Sequence, residues 1–245
     1  MQPMSATIDP RVSAVARWLA TLAAIGVVAC QSATSIPVSA PVGAPKLVVG
    51  DHWQYRITDN LRRGEVTLLD LEVVSIANGV ATLREVYNGP YGRTELSEEI
   101  DANGWLVVGA LKEELTRRFP TPIEMYDFPL EQGKIWRQTV NTTSPDTQLP
   151  AQILAYGTVQ GMRPVTVPAG AFDAVYIYRI IQLDDDQFWR TRTERRDSVW
   201  FVAGAKGPAR ELRDAQYTLL SGGVGAVVRT ENTTRELTSF KPGNS

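Results

Sequence analysis

The side chains with the most distinctive chemistry in this chain are its single cysteine, Cys30, and its single histidine, His52. A thiol can act as a nucleophile, a metal ligand or an acyl acceptor, and an imidazole can serve a metal site or a catalytic triad. Cys30 closes an apolar run, residues 18–29, that follows Arg11 and Arg17. Basic residues, a short apolar stretch and then small residues are typical of a secretory signal, so Cys30 is interpreted as part of an export signal.

The run ends in Val27-Val28-Ala29-Cys30, which resembles a bacterial lipobox. This predicts a signal peptide over 1–29 and a lipidated Cys30 as the new N-terminus. A plain secretory signal with an incidental cysteine is the alternative. A transmembrane helix is disfavoured, because the uncharged stretch has 12 residues and a spanning helix needs about 18 or more. In lipobox proteins an Asp after the cysteine favours the inner membrane. Gln31 therefore favours anchoring in the outer membrane, facing the periplasm.

Composition sets limits on the rest of the chain. The 25 basic and 27 acidic side chains give a net charge of −2, without the basic excess expected of a nucleic-acid-binding protein. Residues 30–46 are rich in Ser, Ala and Pro, which predicts a lipidated cysteine followed by a disordered linker. Residues 47–245 are long enough for one β domain with a buried core, and they contain no cysteine for disulfides.

Most of residues 47–245 alternates between apolar and polar side chains, as half-buried strands do. Trp53, Tyr55 and Ile57 follow this pattern, and Asn78-Gly79 predicts a hairpin turn. Further strands are predicted at 66–76, 80–87, 91–100, 105–108, 134–142, 150–160, 163–167, 172–183, 187–202, 209–220 and 225–238. The runs 66–76 and 172–183 are apolar on both faces, so each needs a cover on its second face.

One stretch is ambiguous between helix and strand. Leu111, Leu115 and Phe119 fit one face of either element, and a strand is favoured because Pro120 and Pro122 follow. Nothing else in the sequence has a helical pattern. We therefore predict an all-β, mostly antiparallel domain built as a single curved sheet or half-barrel, with sandwich-like closure as the open alternative.

Two segments share a Gly-x-x-Trp pattern. Gly50-Asp-His-Trp53 and Gly133-Lys-Ile-Trp136 each open a predicted strand, and each tryptophan is expected to fill the inside of the sheet. They are interpreted as matched halves of one curved sheet, with chance similarity as the alternative.

These motifs belong to a larger set that resembles a group of uncharacterised bacterial envelope lipoproteins with GxxWxY, FPLxxGxxW and VPAGxF motifs. The matching segments are Gly50 to Tyr55, Phe128 to Trp136, Val167 to Phe172 and Val199 to Gly207. The last departs from the group, because Gly204-Ala-Lys-Gly207 replaces a tighter glycine turn. The resemblance implies an architecture similar to the half-barrel of the lipoprotein-localisation factors, whose hollow could admit a lipid or an apolar segment. The resemblance implies no catalytic residues.

Few residues fit a catalytic or metal-binding motif. His52 has no second histidine or free cysteine to share zinc, and is expected at a strand edge with its ring partly exposed. Asp184-Asp185-Asp186 lacks the alternating spacing of a calcium loop and predicts a hairpin tip. Glu98-Glu99 and Glu113-Glu114 are adjacent in predicted strands, so the members of each pair point to opposite faces. We expect no metal, no cofactor and no enzymatic activity, while a periplasmic hydrolase with carboxylates from separate strands is left open.

A basic cluster with aromatic neighbours lies near the end of the chain. It consists of Arg190, Arg192, Arg195 and Arg196 among Phe188, Trp189 and Trp200. A solvated sheet face with cross-strand ion pairs is the favoured interpretation, and an anionic lipid or polymer site is the alternative. Nucleic acid is disfavoured as a partner.

The aromatic side chains supply the remaining candidates for a ligand site. The candidates are Trp53, Trp136, Trp189, Trp200, Phe172 and Tyr176. Core packing is the default interpretation, and lining a groove for an acyl chain or glycan is the alternative. We therefore predict a lipid-anchored, non-enzymatic envelope protein that binds an apolar or lipidic ligand or serves an envelope assembly with a protein partner. A purely structural accessory lipoprotein is the further alternative.

Overall fold

The computed structural model describes residues 36–62, 64–111, 116–143, 148–183, 193–221 and 225–244, without the side chains of 217–221 and 225–229. The following predicted features lie outside the described residues: the signal peptide, Cys30, Gln31, Glu113-Glu114, Leu115, Asp184-Asp185-Asp186, Phe188, Trp189, Arg190 and Arg192. Within the described residues, no helix has the length and apolar character needed to cross a bilayer.

The described residues form twelve β-strands and one short 3-10 turn, Ala203–Ala205. The strands are β1 His52–Asp59, β2 Glu65–Ala77, β3 Val80–Gly89, β4 Gly92–Asp101, β5 Leu106–Ala110, β6 Thr116–Ile123, β7 Ile135–Thr143, β8 Pro150–Val167, β9 Gly170–Leu183, β10 Thr193–Val202, β11 Gly207–Ser221 and β12 Gly225–Lys241.

All twelve strands belong to one antiparallel sheet in the order β6-β5-β4-β3-β2-β1-β12-β11-β10-β9-β8-β7. β12 pairs back onto β1, so the two edges of the sheet are β6 and β7. The edge strands and the residues after β6 meet through side chains. Gln138 Nε2 donates to the Pro122 carbonyl at 2.9 Å, and the Trp136 indole N–H donates to the Glu124 carbonyl at 3.0 Å. The sheet is therefore nearly closed and barrel-like. Its twelve antiparallel strands confirm the prediction of an all-β, mostly antiparallel domain.

Local signals explain several turns and strand ends. Asn78 and Gly79 both have positive φ, 52° and 77°, and connect β2 to β3 as the hairpin prediction requires. Pro120 and Pro122 lie in β6, where an edge strand tolerates the missing N–H. The strand interpretation of this stretch is thus confirmed for Thr116–Ile123.

One pair of predicted strands is a single element. The predicted strands 150–160 and 163–167 are both part of β8, whose register shifts between Val159 and Gly161. Gly161 has a φ of 125°, a conformation that glycine adopts without strain. The sequence break at this point therefore marks a bulge rather than the end of a strand.

The buried apolar side chains form three clusters. The first includes Trp53 and Tyr55, the second Phe119 and Ile153, and the third Trp136. Both tryptophans of the Gly-x-x-Trp segments are therefore buried, at 2% and 5% exposure, and each donates its indole N–H to a backbone carbonyl. The two segments thus play the same packing role at the starts of β1 and β7.

The outer face is covered at only one of the two strands expected to need a cover. On β9, Tyr176 is covered by the Trp200 ring, with centroids 4.8 Å apart, and by the Arg163 guanidinium, 3.7 Å from the Tyr176 ring centroid. On β2, Val66 and Leu68 remain exposed, and so do Val74 and Ile76, which lie at and after the register shift between Val73 and Ser75.

Residues 36–46, predicted as the end of a disordered linker, contain two residues that form isolated β-bridges. Ile36 pairs with Met162 of β8 and Val42 pairs with Leu130, which precedes β7, each through two backbone hydrogen bonds of 2.6 to 3.1 Å. Val38 and Val42 also pack against the third cluster. The prediction of disorder is therefore wrong for this part of the segment.

Candidate functional site

A partly enclosed cavity of about 160 Å³ lies inside the curved sheet. One part of its wall is apolar and consists mainly of Leu47, Trp53, Leu71, Leu83, Ile100, Leu106, Phe128 and Phe201. The other part is charged and consists mainly of Glu85, Glu98, Arg179, Arg195, Glu211, Arg213 and Arg235. The cavity therefore presents an amphipathic surface.

Six charged side chains on β9 to β12 form a network, called here the charged network: Arg179, Arg195, Asp197, Glu211, Arg213 and Arg235. Strand register explains how it assembles. Asp197 lies directly opposite Arg179 on one neighbouring strand and opposite Arg213 on the other. Glu211 lies directly opposite Arg235. Opposite charges in directly paired positions attract each other, so antiparallel pairing brings these residues together, and Arg195 joins Asp197 from two positions earlier on the same strand.

Asp197 is fully buried and accepts hydrogen bonds from two arginines. Arg195 donates from Nε and Nη2 at 2.8 Å each, and Arg179 donates from Nη2 at 2.9 Å. Burial by itself raises the pKa of a carboxyl, but the Arg195 and Arg179 charges outweigh it and hold the pKa of Asp197 below its ordinary value. Asp197 is therefore a buried carboxylate anion.

Glu211 is the second buried carboxylate of the network. Arg235 Nη2 donates to it at 2.6 Å, Arg213 Nη2 at 3.1 Å and Arg195 Nη2 at 3.4 Å. Burial again acts to raise the pKa, and the charges of Arg235 and Arg213 reverse that effect, so the pKa of Glu211 lies well below its ordinary value. The four arginines thus share two ionised carboxylates.

Some N–H donors of these arginines have no hydrogen-bond acceptor among the described residues. The Nε atoms of Arg179, Arg213 and Arg235 are buried and have no hydrogen-bond partner there. Arg179 is 3% exposed, and its Nη1 and Nη2 donate to the Met125 carbonyl and to Asp197. These Nε atoms have almost no accessible surface, as do those of Arg163 and Arg210 outside the cavity, so they do not by themselves mark a ligand site.

Two further carboxyls line the cavity from β3 and β4. Glu85 pairs with Leu96 and Glu98 pairs with Leu83, so Glu85 and Glu98 are diagonal neighbours on one face of the sheet. Burial, followed by the charge of Glu85, raises the pKa of Glu98 to about 8. Burial also raises the pKa of Glu85, which accepts a hydrogen bond from the Tyr87 hydroxyl at 3.2 Å. At neutral pH Glu98 is therefore mainly protonated.

Contacts between two distant motifs hold one end of the cavity. The Trp53 indole N–H donates to the Ala205 carbonyl at 2.6 Å, and the Lys206 ammonium contacts both oxygens of Asp51 at 2.7 and 2.8 Å. Trp53 and Lys206 also line the cavity. The segment from Gly50 to Tyr55 and the segment from Val199 to Gly207 therefore fix this end together.

The aromatic residues predicted to line a ligand site lie in different parts of the sheet. Trp53 lines the cavity, whereas Trp136 is buried in the third cluster. The Trp200 and Tyr176 rings lie against each other at a tilt, and both Trp200 and Phe172 pack against the first cluster. Of the described candidates, only Trp53 is part of the cavity wall.

The basic cluster predicted for a solvated sheet face divides between two faces. Arg196 is exposed and forms an ion pair with Glu194. Its neighbour Arg195 is 4% exposed and belongs to the charged network, because adjacent residues of a strand point to opposite faces. The expectation of a solvated face is therefore wrong for Arg195.

Most of the charged network was not predicted from sequence, although a signal for it exists. Arg179 lies two positions from each of the buried residues Ile177 and Ile181, and Asp197 lies two positions from the buried Val199. Because alternate residues of a strand share a face, both charged side chains are expected on the inner face. A charged residue at an inward position of an apolar strand needs a buried partner. The alternation of faces therefore indicates an internal ionic network, but it does not identify which charged side chains pair with each other.

The single histidine lies outside the charged network. His52 Nε2 is 2.8 Å from Asp70 Oδ1, and both side chains are partly exposed. Within the described residues, no group of three or more His, Cys, Asp and Glu side chains is placed to hold a metal ion.

No family model matches the chain, and no curated protein matches it. Three solved structures are similar in shape. A candidate lipoprotein from Parabacteroides distasonis has 13% identity and a TM-score of 0.46, covering 82% of this chain and 100% of that one. A candidate exported protein with a YmcC-like fold from Bacteroides fragilis has 10% identity and a TM-score of 0.47, with the same coverage of both chains. The hypothetical lipoprotein YmcC from Escherichia coli has 9% identity and a TM-score of 0.40, covering 81% of this chain and 87% of that one. These low values assign neither a family nor an activity to this chain.

Proposed function

We propose that this chain is a lipid-anchored envelope protein whose cavity binds one end of an amphipathic, lipidic molecule. The observation that carries the proposal is the partly enclosed cavity, in which an apolar wall adjoins a wall of arginines. Ligand sites are typically apolar with a few polar groups that fix orientation, and this cavity has both parts. The anchor is supported by the sequence, since Cys30 ends a lipobox-like run and Gln31 favours the outer membrane, facing the periplasm.

The volume of the cavity limits what can bind. The value of about 160 Å³ is below the roughly 300–1,000 Å³ of sites for drug-sized ligands, and close to the roughly 150 Å³ of an engineered cavity that binds benzene. A short chain or a single head group therefore fits. The remainder of a longer ligand would have to extend through the open side.

Native mass spectrometry of the purified full-length chain tests the proposal. We expect a co-purified species whose mass matches a lipid. Ala110 lines the cavity, so Ala110→Phe should fill it and reduce the amount of bound lipid. Ala77→Phe is the matched control, because Ala77 is exposed at the end of β2 and should leave binding unchanged. If no lipid co-purifies and a fluorescent fatty acid binds both variants equally, the cavity is not a ligand site and the structural accessory role is favoured.

A hydrolase is the second candidate, and one observation favours it. Glu98 is mainly protonated at neutral pH and has a second carboxyl, Glu85, as a diagonal neighbour on the same cavity wall. A carboxyl with a raised pKa beside a second carboxyl can serve general acid–base catalysis. A panel of chromogenic esters and glycosides tests this candidate. Turnover by the wild type that is lost in Glu98→Gln would support it, and the absence of turnover across the panel would count against it.

A further inference from the structure

We infer that the arginine side of the cavity is an anion site that takes the carboxylate or phosphate end of the ligand. The inference deepens the proposed function and rests on it. The residues that form the site are Arg179, Arg195, Arg213 and Arg235, and all four line the cavity.

The first argument is charge. Four guanidinium groups are paired with two buried carboxylates, Asp197 and Glu211. A third carboxylate, Glu231, approaches Arg213 only to 3.7 Å and is partly exposed. The carboxyls that face the arginines from β3 and β4, Glu85 and Glu98, both have raised pKa values and so compensate the arginines less than two free carboxylates would. Positive charge in a partly enclosed cavity attracts an anion more strongly than it would in open water.

The second argument is the accessibility and shape of two of the guanidinium groups. The Arg213 and Arg235 side chains line the cavity and keep 31% and 23% of their surface exposed. The planar fork of a guanidinium matches two oxygens of one carboxylate or phosphate, which is why arginine is favoured at such sites. A bound anion would therefore pair with the accessible N–H groups of these two side chains.

The third argument is the position of the arginines beside apolar surface. The Arg235 guanidinium lies 5.0 Å from the Tyr55 ring centroid, and the Arg179 guanidinium lies 4.8 Å from that of Tyr126. Both rings line the cavity next to Phe128. An anionic end held by the arginines would therefore leave its attached chain against aromatic and aliphatic side chains.

Isothermal titration calorimetry on the full-length chain in phosphatidylcholine vesicles tests the inference with four small probes. The probes are hexanoate, hexyl phosphate, 1-hexanol and inorganic phosphate. Hexanoate and hexyl phosphate should bind at least about tenfold more tightly than 1-hexanol, because a hydrogen bond to a charged group typically contributes that much affinity. Equal affinities for hexanoate and 1-hexanol would overturn the anion site while leaving the cavity as a ligand site. If none of the probes binds, the proposed function fails as well.

Inorganic phosphate distinguishes the two sources of the anion. Weak binding of inorganic phosphate beside tight binding of hexyl phosphate supports the end of a lipidic ligand. Equal affinities for the two would mean that the site takes free phosphate, which would overturn the assignment to a lipidic ligand.

Two variants assign the binding to the arginines. Arg213→Gln removes a partly exposed member of the site and should weaken hexanoate binding about tenfold, with 1-hexanol unchanged. Arg196→Gln is the matched control, since Arg196 is exposed on the outer face, and it should bind hexanoate like the wild type. Unchanged hexanoate affinity in folded Arg213→Gln would contradict the inference. If Arg213→Gln does not fold, Glu98→Gln tests the same site. Its hexanoate binding should weaken less between neutral and alkaline pH than that of the wild type, in which Glu98 as well as Glu85 ionises. Equal weakening in the two proteins would contradict the inference.

Discussion

The Lys206 ammonium lies 2.7 and 2.8 Å from the two carboxylate oxygens of Asp51, a fully buried side chain 155 positions earlier in the chain. Asp51 also accepts hydrogen bonds from the backbone N–H groups of Val48 and Gly243, at 2.8 and 2.9 Å. One carboxylate therefore joins the approach to β1, the connection from β10 to β11 and the residues after β12. This explains why Gly50-Asp-His-Trp53 and Gly204-Ala-Lys-Gly207 both belong to the framework of the domain.

Lys206→Met should lower the free energy of unfolding by about 1–3 kcal/mol, because it leaves the buried Asp51 carboxylate without its partly exposed counter-charge. Asp51 would keep two backbone donors but lose its counter-charge. Urea denaturation followed by circular dichroism measures the change. Lys134→Met is the control, because the Lys134–Asp127 pair at 3.0 Å is more exposed and should contribute about 1 kcal/mol or less. Equal losses of unfolding free energy in the two variants would show that the Lys206–Asp51 pair stabilises the domain no more than the more exposed Lys134–Asp127 pair does.

Gly157→Ala should destabilise the domain, because Gly157 lies directly opposite Trp136 in the β7–β8 ladder. A Cβ at Gly157 would overlap Cζ2 of Trp136, so the indole would have to move, at a cost of about 1–3 kcal/mol. Gly204→Ala has no atom within 4 Å of the added Cβ and serves as the control. The melting temperature should fall for Gly157→Ala alone, and a shorter aromatic, Trp136→Phe, should relieve part of that fall. A Gly157→Ala variant as stable as the control would contradict the close packing.

Val42→Asn should destabilise the domain, because Val42 packs on the third cluster and pairs with Leu130. Replacing a partly buried apolar side chain with an amide is expected to cost about 1–3 kcal/mol. Val49→Asn is the matched control, since Val49 is 51% exposed. The melting temperatures of the two variants, compared with that of the wild type, test this prediction. If both melt like the wild type, the segment does not contribute to stability, as expected of a linker.

Glu98 should make the domain less stable at alkaline pH. Its pKa rises from 4.5 in the unfolded chain to about 8 in the folded protein, so between these values the folded state holds a proton that the unfolded chain has released. The stability from this proton is fully present below about pH 4.5 and is lost as the pH rises through about 8. The charged and titratable groups around Glu98 are Glu85, Tyr87, Arg195, Glu211, Arg213 and Arg235.

Glu98→Gln removes this titration while it preserves the shape of the side chain. Urea midpoints at about pH 5, 7 and 9 should fall more steeply for the wild type than for the variant. The Glu99→Gln variant is the control, because Glu99 pairs with Arg118 on the other face of β4 and should follow the wild type. Parallel pH profiles for the wild type and Glu98→Gln would show that Glu98 does not hold a proton in the folded state.

Cys30→Ser should abolish lipidation, because the chain has no other thiol to carry acyl groups. The variant should fail to incorporate radiolabelled palmitate and should leave the detergent phase in Triton X-114 partitioning. Full retention of both signals in the variant would mean that the anchor lies elsewhere.

Local sequence determined much of the fold. The period-2 pattern placed Trp53 and Tyr55 on the inner face of β1, and Asn78-Gly79 set the first hairpin because both residues tolerate positive φ. These properties depend on a residue and its near neighbours, and so they can be read from the chain itself. The interpretation of Cys30 and its apolar run as a lipobox also depends on a short contiguous motif, and it stays a prediction.

The tertiary structure alone decided which inward-facing charges meet. Parity places Asp197, Arg179 and Glu211 on the inside of their strands, but their partners depend on the register of neighbouring strands and on the closure of the sheet. The same closure sets Glu98 opposite the arginines and leaves a cavity between them. Alternation along a strand fixes the face of each side chain, whereas its neighbours across the sheet are set by pairing between segments far apart in sequence, which no local pattern encodes.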